Sequence, residues 1–225
     1  MVWIGDKTFK AGEKMSNIRI FVSHRIDIDS ETVDTPVYFP VRCGAVYDEE
    51  GNSEIQGDDT GDNISKLRMS FCEFTVQYWA WKNVDADYYG LCHYRRYLSF
   101  SDKRYKNTVF NMVRELKLTP HEKKKYHLDD TKKIEKTVKQ YDMIIPVVAK
   151  ASEMSYNRAE VKTLREMWES YNGVYFEQGI IDKMFSLIKE YSPEYYNSAC
   201  EYFSGKYHRA FNCYIMKKEL FVRMC

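Results

Sequence analysis

Three short stretches of the chain gather residues that could do chemistry. In the first, His93-Tyr94-Arg95-Arg96, two guanidinium groups sit beside an imidazole. Arginine stays charged and offers a planar fork that fits phosphate oxygens. Histidine can donate a hydrogen bond or act as an acid near neutral pH. The stretch therefore suits a departing diphosphate. It equally suits an arginine pair bridged to the protein's own acidic loop, with His93 satisfied in the core. The second, Asp58-Asp59-Thr60-Gly61-Asp62-Asn63, sets three carboxylates around a glycine turn. These could hold Mg2+ or Mn2+, hydrogen-bond a ribose or base, or serve as a general base. A capped helix entry would use the same residue types. The third, Ser204-Gly205-Lys206-Tyr207-His208-Arg209, follows a glycine turn with basic or titratable side chains. It reads as a phosphate clamp or as a solvated loop. Neither GxGxxG, a P-loop, GxSxG nor HExxH occurs, which removes the commonest dinucleotide, NTPase, hydrolase and zinc-peptidase readings.

The elements that must position these residues follow from periodicity. The β-branched run Ile18–His24 predicts a first strand, and residues 25–63 read mostly as loop. A helix capped by Asn63 or Ser65 is predicted next. Its stripe is Leu67, Phe71, Phe74, Tyr78 and Trp81, with Trp79 also read as core rather than sugar-stacking. Tyr88–Cys92 predicts a second strand running straight into His93, and Tyr141–Val148 a third. Helices are expected near 158–171 and 178–191. Phe211–Met216 then forms a short strand or buried turn before a last helix. The expectation is an α/β sandwich with a partly parallel central sheet, one domain over 1–225. Residues 1–17 form a peripheral segment in this reading, and 101–140 a charged helical insertion. Ligands of such sheets bind beyond the carboxyl ends of the strands, which brings Ser23 and His24, His93 to Arg96, and the residues after Val148 near one rim.

Composition narrows the function classes. A net charge of +1 argues against a nucleic-acid partner, and Glu and Asp interleave with the basic run His121–Lys125. With 19 Tyr and 12 Phe the chain is rich in rings that suit either a padded core or sugar faces. Six scattered cysteines without a CxxC pair read as free thiols of a reducing compartment, Cys72 and Cys92 on buried faces. No segment reads as a signal peptide or membrane span, so a cytoplasmic location is expected.

Asp59-Thr-Gly-Asp-Asn-Ile-Ser65, Tyr78-Trp-Ala-Trp-Lys-Asn83, Gly90-Leu-Cys-His-Tyr-Arg-Arg-Tyr97 and Phe211-Asn-Cys-Tyr-Ile-Met-Lys-Lys-Glu-Leu-Phe221 resemble the DUF4422 family. The resemblance spans roughly residues 18 to 225. It implies a GT-A-like fold and a glycosyltransferase of capsular, exopolysaccharide or O-antigen assembly that uses a UDP-sugar, UDP-galactofuranose or UDP-galactose among them. The acceptor it implies is a lipid-linked glycan met at the inner face of the membrane. The donor pocket it implies comprises Ser23, His24, Asp59, Thr60, Gly61, Asp62, Asn63, Ile64, His93, Tyr94, Arg95 and Arg96, with Lys206, His208 and Arg209 closing over the phosphates. Asp59, Asp62 and His93 are the catalytic candidates. No metal ligand is assigned: guanidinium charge stands where most GT-A enzymes carry a DxD motif, though the acidic loop leaves Mn2+ or Mg2+ open. A homo-oligomer is also left open. Two departures from the family's pattern are Ala151–Asn157, where a histidine-containing segment is expected, and the end at Cys225, where a further helix is. The second departure keeps an alternative in view, a non-catalytic nucleotide- or glycan-binding module.

Overall fold

A computed structural model describes residues 17–49, 54–107 and 111–225; apart from Asn17, the segment expected to be peripheral lies outside them. Among the described residues the strands are, in chain order, β1 (Ile18–Arg25), β2 (Tyr38–Cys43), β3 (Gln56–Gly57), β4 (Tyr88–His93), β5 (Met143–Ile144), β6 (Ala149–Lys150), β7 (Tyr207–His208) and β8 (Tyr214–Lys217). The α-helices are α1 (Arg68–Phe71), α2 (Phe74–Asn83), α3 (Pro120–Lys125), α4 (Thr131–Val138), α5 (Ala151–Met154), α6 (Leu164–Glu169), α7 (Ile180–Tyr191), α8 (Tyr196–Ser204) and α9 (Lys218–Met224). The chain gathers into two compact units. One holds the residues up to 104 together with 115–146 and 211–225, the other 105–114 and 147–210.

The first unit is built on a six-stranded sheet of order β3-β2-β1-β4-β8-β5. Strands β3, β2, β1 and β4 are parallel, while β8 runs antiparallel to both β4 and β5. The sheet is thus mostly parallel, as expected. β1 lies inside it, and Ile20 to His24 are all buried, the near-continuous apolar run of a strand covered on both faces. On one face Phe21, Val41, Leu91 and Tyr89 pack with Val76, Trp79 and Ala80 of α2 and Phe221 of α9. The Phe221 ring stacks on Tyr89 at 4.3 Å, which ties the last helix to β4. Each such large side chain contributes about 1.5–3 kcal/mol by leaving water.

Several local expectations give way. The stretch taken as loop contains β2 and β3. Pro40 inside Tyr38–Cys43 lacks an N–H and ordinarily argues against a strand interior, yet β2 pairs in register with β1 from Tyr38 to Cys43. The long helix from Ser65 is interrupted. A 3-10 turn over Ser65–Leu67 leads into α1, Cys72 turns left-handed at φ 47°, and α2 starts afresh at Phe74. That break resets the helical phase. Leu67, Phe71 and Phe74 of the expected stripe are exposed, and Thr75, Val76, Trp79 and Ala80 face the core instead. Cys72 is exposed for the same reason, whereas Cys92 is buried as expected. In the 141–148 run only Met143–Ile144 pair with β8.

The second unit has its own small core of Ala151, Leu164 and Met167, with Trp168, Tyr171 and Phe203 packed against it. Its helices α6 and α7 are shorter versions of the two expected ones, and α8 is an addition. β6 and β7 pair antiparallel, Ala149 opposite His208.

Candidate functional site

The rim of the first unit is set by register. Parallel pairing puts Ser23 of β1 beside His93 of β4 and His24 beside Arg42 of β2. Ser23 and His24 are buried. The His24 Nδ1 lies 2.7 Å from the Ser30 hydroxyl, while its Nε2 is buried with no hydrogen-bond partner among the described residues. Burial lowers the His24 pKa. An unpartnered ring nitrogen in that setting costs about 1–3 kcal/mol unless water or a ligand meets it.

β4 ends in a tight turn. The His93 N–H donates to the Arg96 carbonyl at 3.2 Å and the Arg96 N–H to the His93 carbonyl at 2.8 Å. The Tyr94 N–H donates back to Ser23, so Tyr94 is drawn inward while Arg95 stands exposed. The Arg95 amide donates to His93 Nδ1 at 3.3 Å, which leaves the ring's proton on Nε2. Burial, then the positive charge of Arg96, Arg95 and His24, push the His93 pKa down to about 4, against a smaller opposing pull from Glu73. At neutral pH His93 is an uncharged imidazole with an Nε2–H to give.

The two guanidinium groups rest on rings, Arg95 over Tyr94 at 4.9 Å and Arg96 over Phe211 at 4.8 Å. Among the described residues no carboxylate lies within 4 Å of either. The bland alternative, an arginine pair bridged to residues 58–62, is therefore not what the structure shows. Cation–π contact is worth about 0.5–1 kcal/mol at exposed sites and orients a guanidinium without neutralising it.

The acidic loop follows β3 in the same unit. Asp58 is fully buried and saturated by protein donors. The amides of Gly44 and Ala45 reach it at 2.9 Å each, and the Ser65 and Thr75 hydroxyls at 2.5 Å each. It is an anchor, with no lone pair to spare for a ligand. The same network reaches the rim, since the Cys43 thiol lies 3.5 Å from the Thr75 hydroxyl and beside Ser23.

Thr60 accepts from Trp79 Nε1 and Gln56 Nε2, each at 3.0 Å. Gly61 takes a left-handed φ of 59°. At the end of α2, Asn83 clasps Asp62 twice, accepting from its N–H at 3.1 Å and donating to its carbonyl at 2.7 Å. Asn63 donates to the carbonyls of Asp59 and Gly61. Ile64 is half-buried. Asp59 and Asp62 are exposed; Asp62 accepts from the Tyr78 hydroxyl at 3.2 Å, and no donor reaches the Asp59 carboxylate among the described residues. The loop is thus a rigid presentation of Asp59 and Asp62 on the frame of α2. Asp58 faces inward, and among the described residues no group of three His, Cys, Asp or Glu side chains is placed to hold a metal ion.

Lys206, His208 and Arg209 belong to the second unit. Lys206 is exposed, and its carbonyl accepts from Ala151. His208 sits edge-on to Trp168 at 5.5 Å, 3.4 Å from the Tyr202 hydroxyl, its pKa lowered by burial. The Arg209 N–H donates to the Tyr202 hydroxyl, and its Nε is buried with no hydrogen-bond partner among the described residues. Sequence reasoning missed Ser30 and the clasp of Asn83. Asn83 was visible only as the end of a family motif, and Ser30 carried no signal.

Among solved structures the chain is similar to one titled "WbbM bifunctional glycosytransferase apo structure", at 26% identity and a TM-score of 0.79. The match covers 92% of this chain and 35% of that one, so the chain spans about a third of the length of its structural neighbour. No curated protein matches. The mostly parallel sheet and the likeness to that structure are those of a mixed α/β, GT-A-like fold. The model of DUF4422, described as a domain of unknown function, matches residues 19–225, and the chain belongs to that family.

Proposed function

We propose that this chain is a glycosyltransferase that moves a sugar from a nucleoside-diphosphate sugar, UDP-linked, to a glycan acceptor of surface-polysaccharide assembly. The observation that carries the reading is the pair of carboxylate-free guanidinium groups, Arg95 and Arg96, at the carboxyl end of a parallel strand. Likeness to a structure titled as a bifunctional glycosyltransferase supports it.

In this mechanism the bond between the sugar's anomeric carbon and the β-phosphate oxygen breaks, and the electron pair leaves on the diphosphate. Arg95 and Arg96 meet that charge, and His93, neutral at pH 7, donates its Nε2–H toward it. Asp59, whose carboxylate is unengaged, takes the proton of the attacking hydroxyl; Asp62, held by Tyr78, shapes the loop. Ser23 and His24, buried at the end of β1, lie behind the phosphates in this reading, and Thr60 to Ile64 flank the nucleoside. The membrane face is reached by peripheral association with a lipid-linked acceptor; among the described residues no helix is long and apolar enough to cross a membrane.

Calorimetry with UDP tests the reading. Losing one charge-assisted contact of about 1.5–3 kcal/mol should weaken UDP about 10- to 100-fold in Arg95→Ala or Arg96→Ala. Unchanged affinity in both would remove the phosphate role.

A further inference from the structure

The second unit holds a cleft that none of this chemistry uses. It measures about 520 Å³ and is lined by Phe185, Tyr196 and Phe203 together with Arg165, Lys189 and Ser186. That volume falls in the usual range of ligand pockets, about 300–1,000 Å³. Its rings meet edge to face, Phe185 against Phe203 at 5.2 Å and against Tyr196 at 6.2 Å.

Charge decides what such a cleft would take. Arg165 is already bound, its Nε 2.7 Å from Glu169 and a second nitrogen on Asp182, with its guanidinium over Phe185. Lys189 rests over the Tyr196 ring at 5.7 Å. With the arginine neutralised, the cleft lacks the converging free cations that a diphosphate needs. What remains is aromatic surface edged by Ser, Thr and Tyr hydroxyls. A pyranose or furanose ring has the complementary surface, an apolar C–H face and a rim of hydroxyls.

We propose that this cleft binds a neutral saccharide unit, the sugar portion of the glycan acceptor. The inference rests on the glycosyltransferase reading for the identity of that sugar, but its geometry stands within the second unit alone.

Saturation-transfer NMR on the full chain tests it, with methyl β-D-galactopyranoside, methyl α-D-glucopyranoside and methyl α-D-mannopyranoside as separate probes at millimolar concentration. At least one glycoside should show ring-proton enhancement. That enhancement should be lost in Tyr196→Ala and in Ser186→Trp, and kept in Tyr196→Phe. Ser186 is exposed on α7, so bulk there fills the cleft without entering the core, and circular dichroism checks the fold of each variant. Absence of enhancement with all three probes overturns the proposal, as does enhancement that survives in folded Ser186→Trp. UDP calorimetry on the same samples separates the two claims. UDP binding without glycoside binding sinks the cleft and spares the donor site; glycoside binding without UDP binding does the reverse.

Discussion

Replacing Asp58 by asparagine should unfold the frame of the site without touching any residue proposed to meet substrate. The carboxylate is wholly buried and accepts four hydrogen bonds, two on each oxygen: Ala45 N and Ser65 Oγ on Oδ1, Gly44 N and Thr75 Oγ1 on Oδ2. Asparagine keeps one acceptor oxygen and turns the other position into a donor facing donors. The Ser or Thr hydroxyl there can rotate away, but the backbone amide cannot, and an orphaned buried group costs about 1–3 kcal/mol. Loss of the charge on the surviving contacts adds about 1 kcal/mol, since bonds to charged groups exceed neutral ones by roughly that much. The sum is about 2–4 kcal/mol, a large share of the roughly 5–15 kcal/mol that holds a domain together. For a chain of this length each kcal/mol moves Tm by about 2–4 °C, so Asp58→Asn should melt about 4–16 °C lower. Differential scanning calorimetry reads this directly. A Tm within about 2 °C of the parent would refute the argument, because no arrangement of four donors around an amide recovers that much.

Four further outcomes follow. The His93 ring should titrate near pH 4 by proton NMR, and Arg96→Ala should raise that value because the neighbouring positive charge is its second cause after burial. Its pKa is depressed relative to 6.5, so between pH 6.5 and about 4 the unfolded chain binds the extra proton; stability should fall as pH drops through that window and level off below it. A diphosphate bound beside the ring should raise the same pKa, so UDP affinity should increase as pH is lowered toward 5. Gly61→Ala should cost about 1–2 kcal/mol for a left-handed alanine, and more because its Cβ would fall 2.0 Å from Asn83 Oδ1; urea melts and UDP calorimetry should both report the loss of the clasp.

How much of this was legible beforehand depended on where the physics is local. The strands Ile18–His24 and Tyr88–Cys92 declared themselves by composition, and the rim rule brought Ser23, His24 and His93 to Arg96 to one rim. The pairing of Ser23 with His93 came only with the register, and the residues after Val148 belong to the second unit. β2 was hidden because Pro40 in its middle signals loop, and β3 because two residues carry no period. The helix stripe failed for a reason no window could see. Cys72 adopts φ 47°, and everything beyond it is rotated relative to an unbroken helix. The three carboxylates of the acidic loop look equivalent in sequence. Only the fold separates Asp58, enclosed by the Gly44 turn and the Ser65 and Thr75 hydroxyls, from Asp59 and Asp62 at the surface.

Four arginines serve the protein's own structure through acids, whereas Arg19, Arg104, Arg114, Arg158, Arg209 and Arg223 share with Arg95 and Arg96 the lack of an ion pair among the described residues; what sets the rim pair apart is that the two charges are adjacent at the end of a buried strand. Arg25 pairs with Asp27, Arg42 with Asp48, Arg68 with Asp27 and Arg165 with Glu169 and Asp182. These are the contacts a chain uses when a guanidinium serves its own structure. Arg95 and Arg96 lie next to each other in sequence, one turn past a buried strand, and they repel each other and help discharge His93. Rings hold them in place where acids could have cancelled them. Two adjacent positive charges left uncompensated destabilise the free protein slightly, and the cost is recovered only when an anion arrives. In the proposed transfer a dianionic leaving group would recover most of it at the moment its bond to the sugar breaks, because its charge is then greatest. The stability of the free protein and the proposed transfer therefore make opposite demands on this turn, where among the described residues no carboxylate lies within 4 Å of either guanidinium.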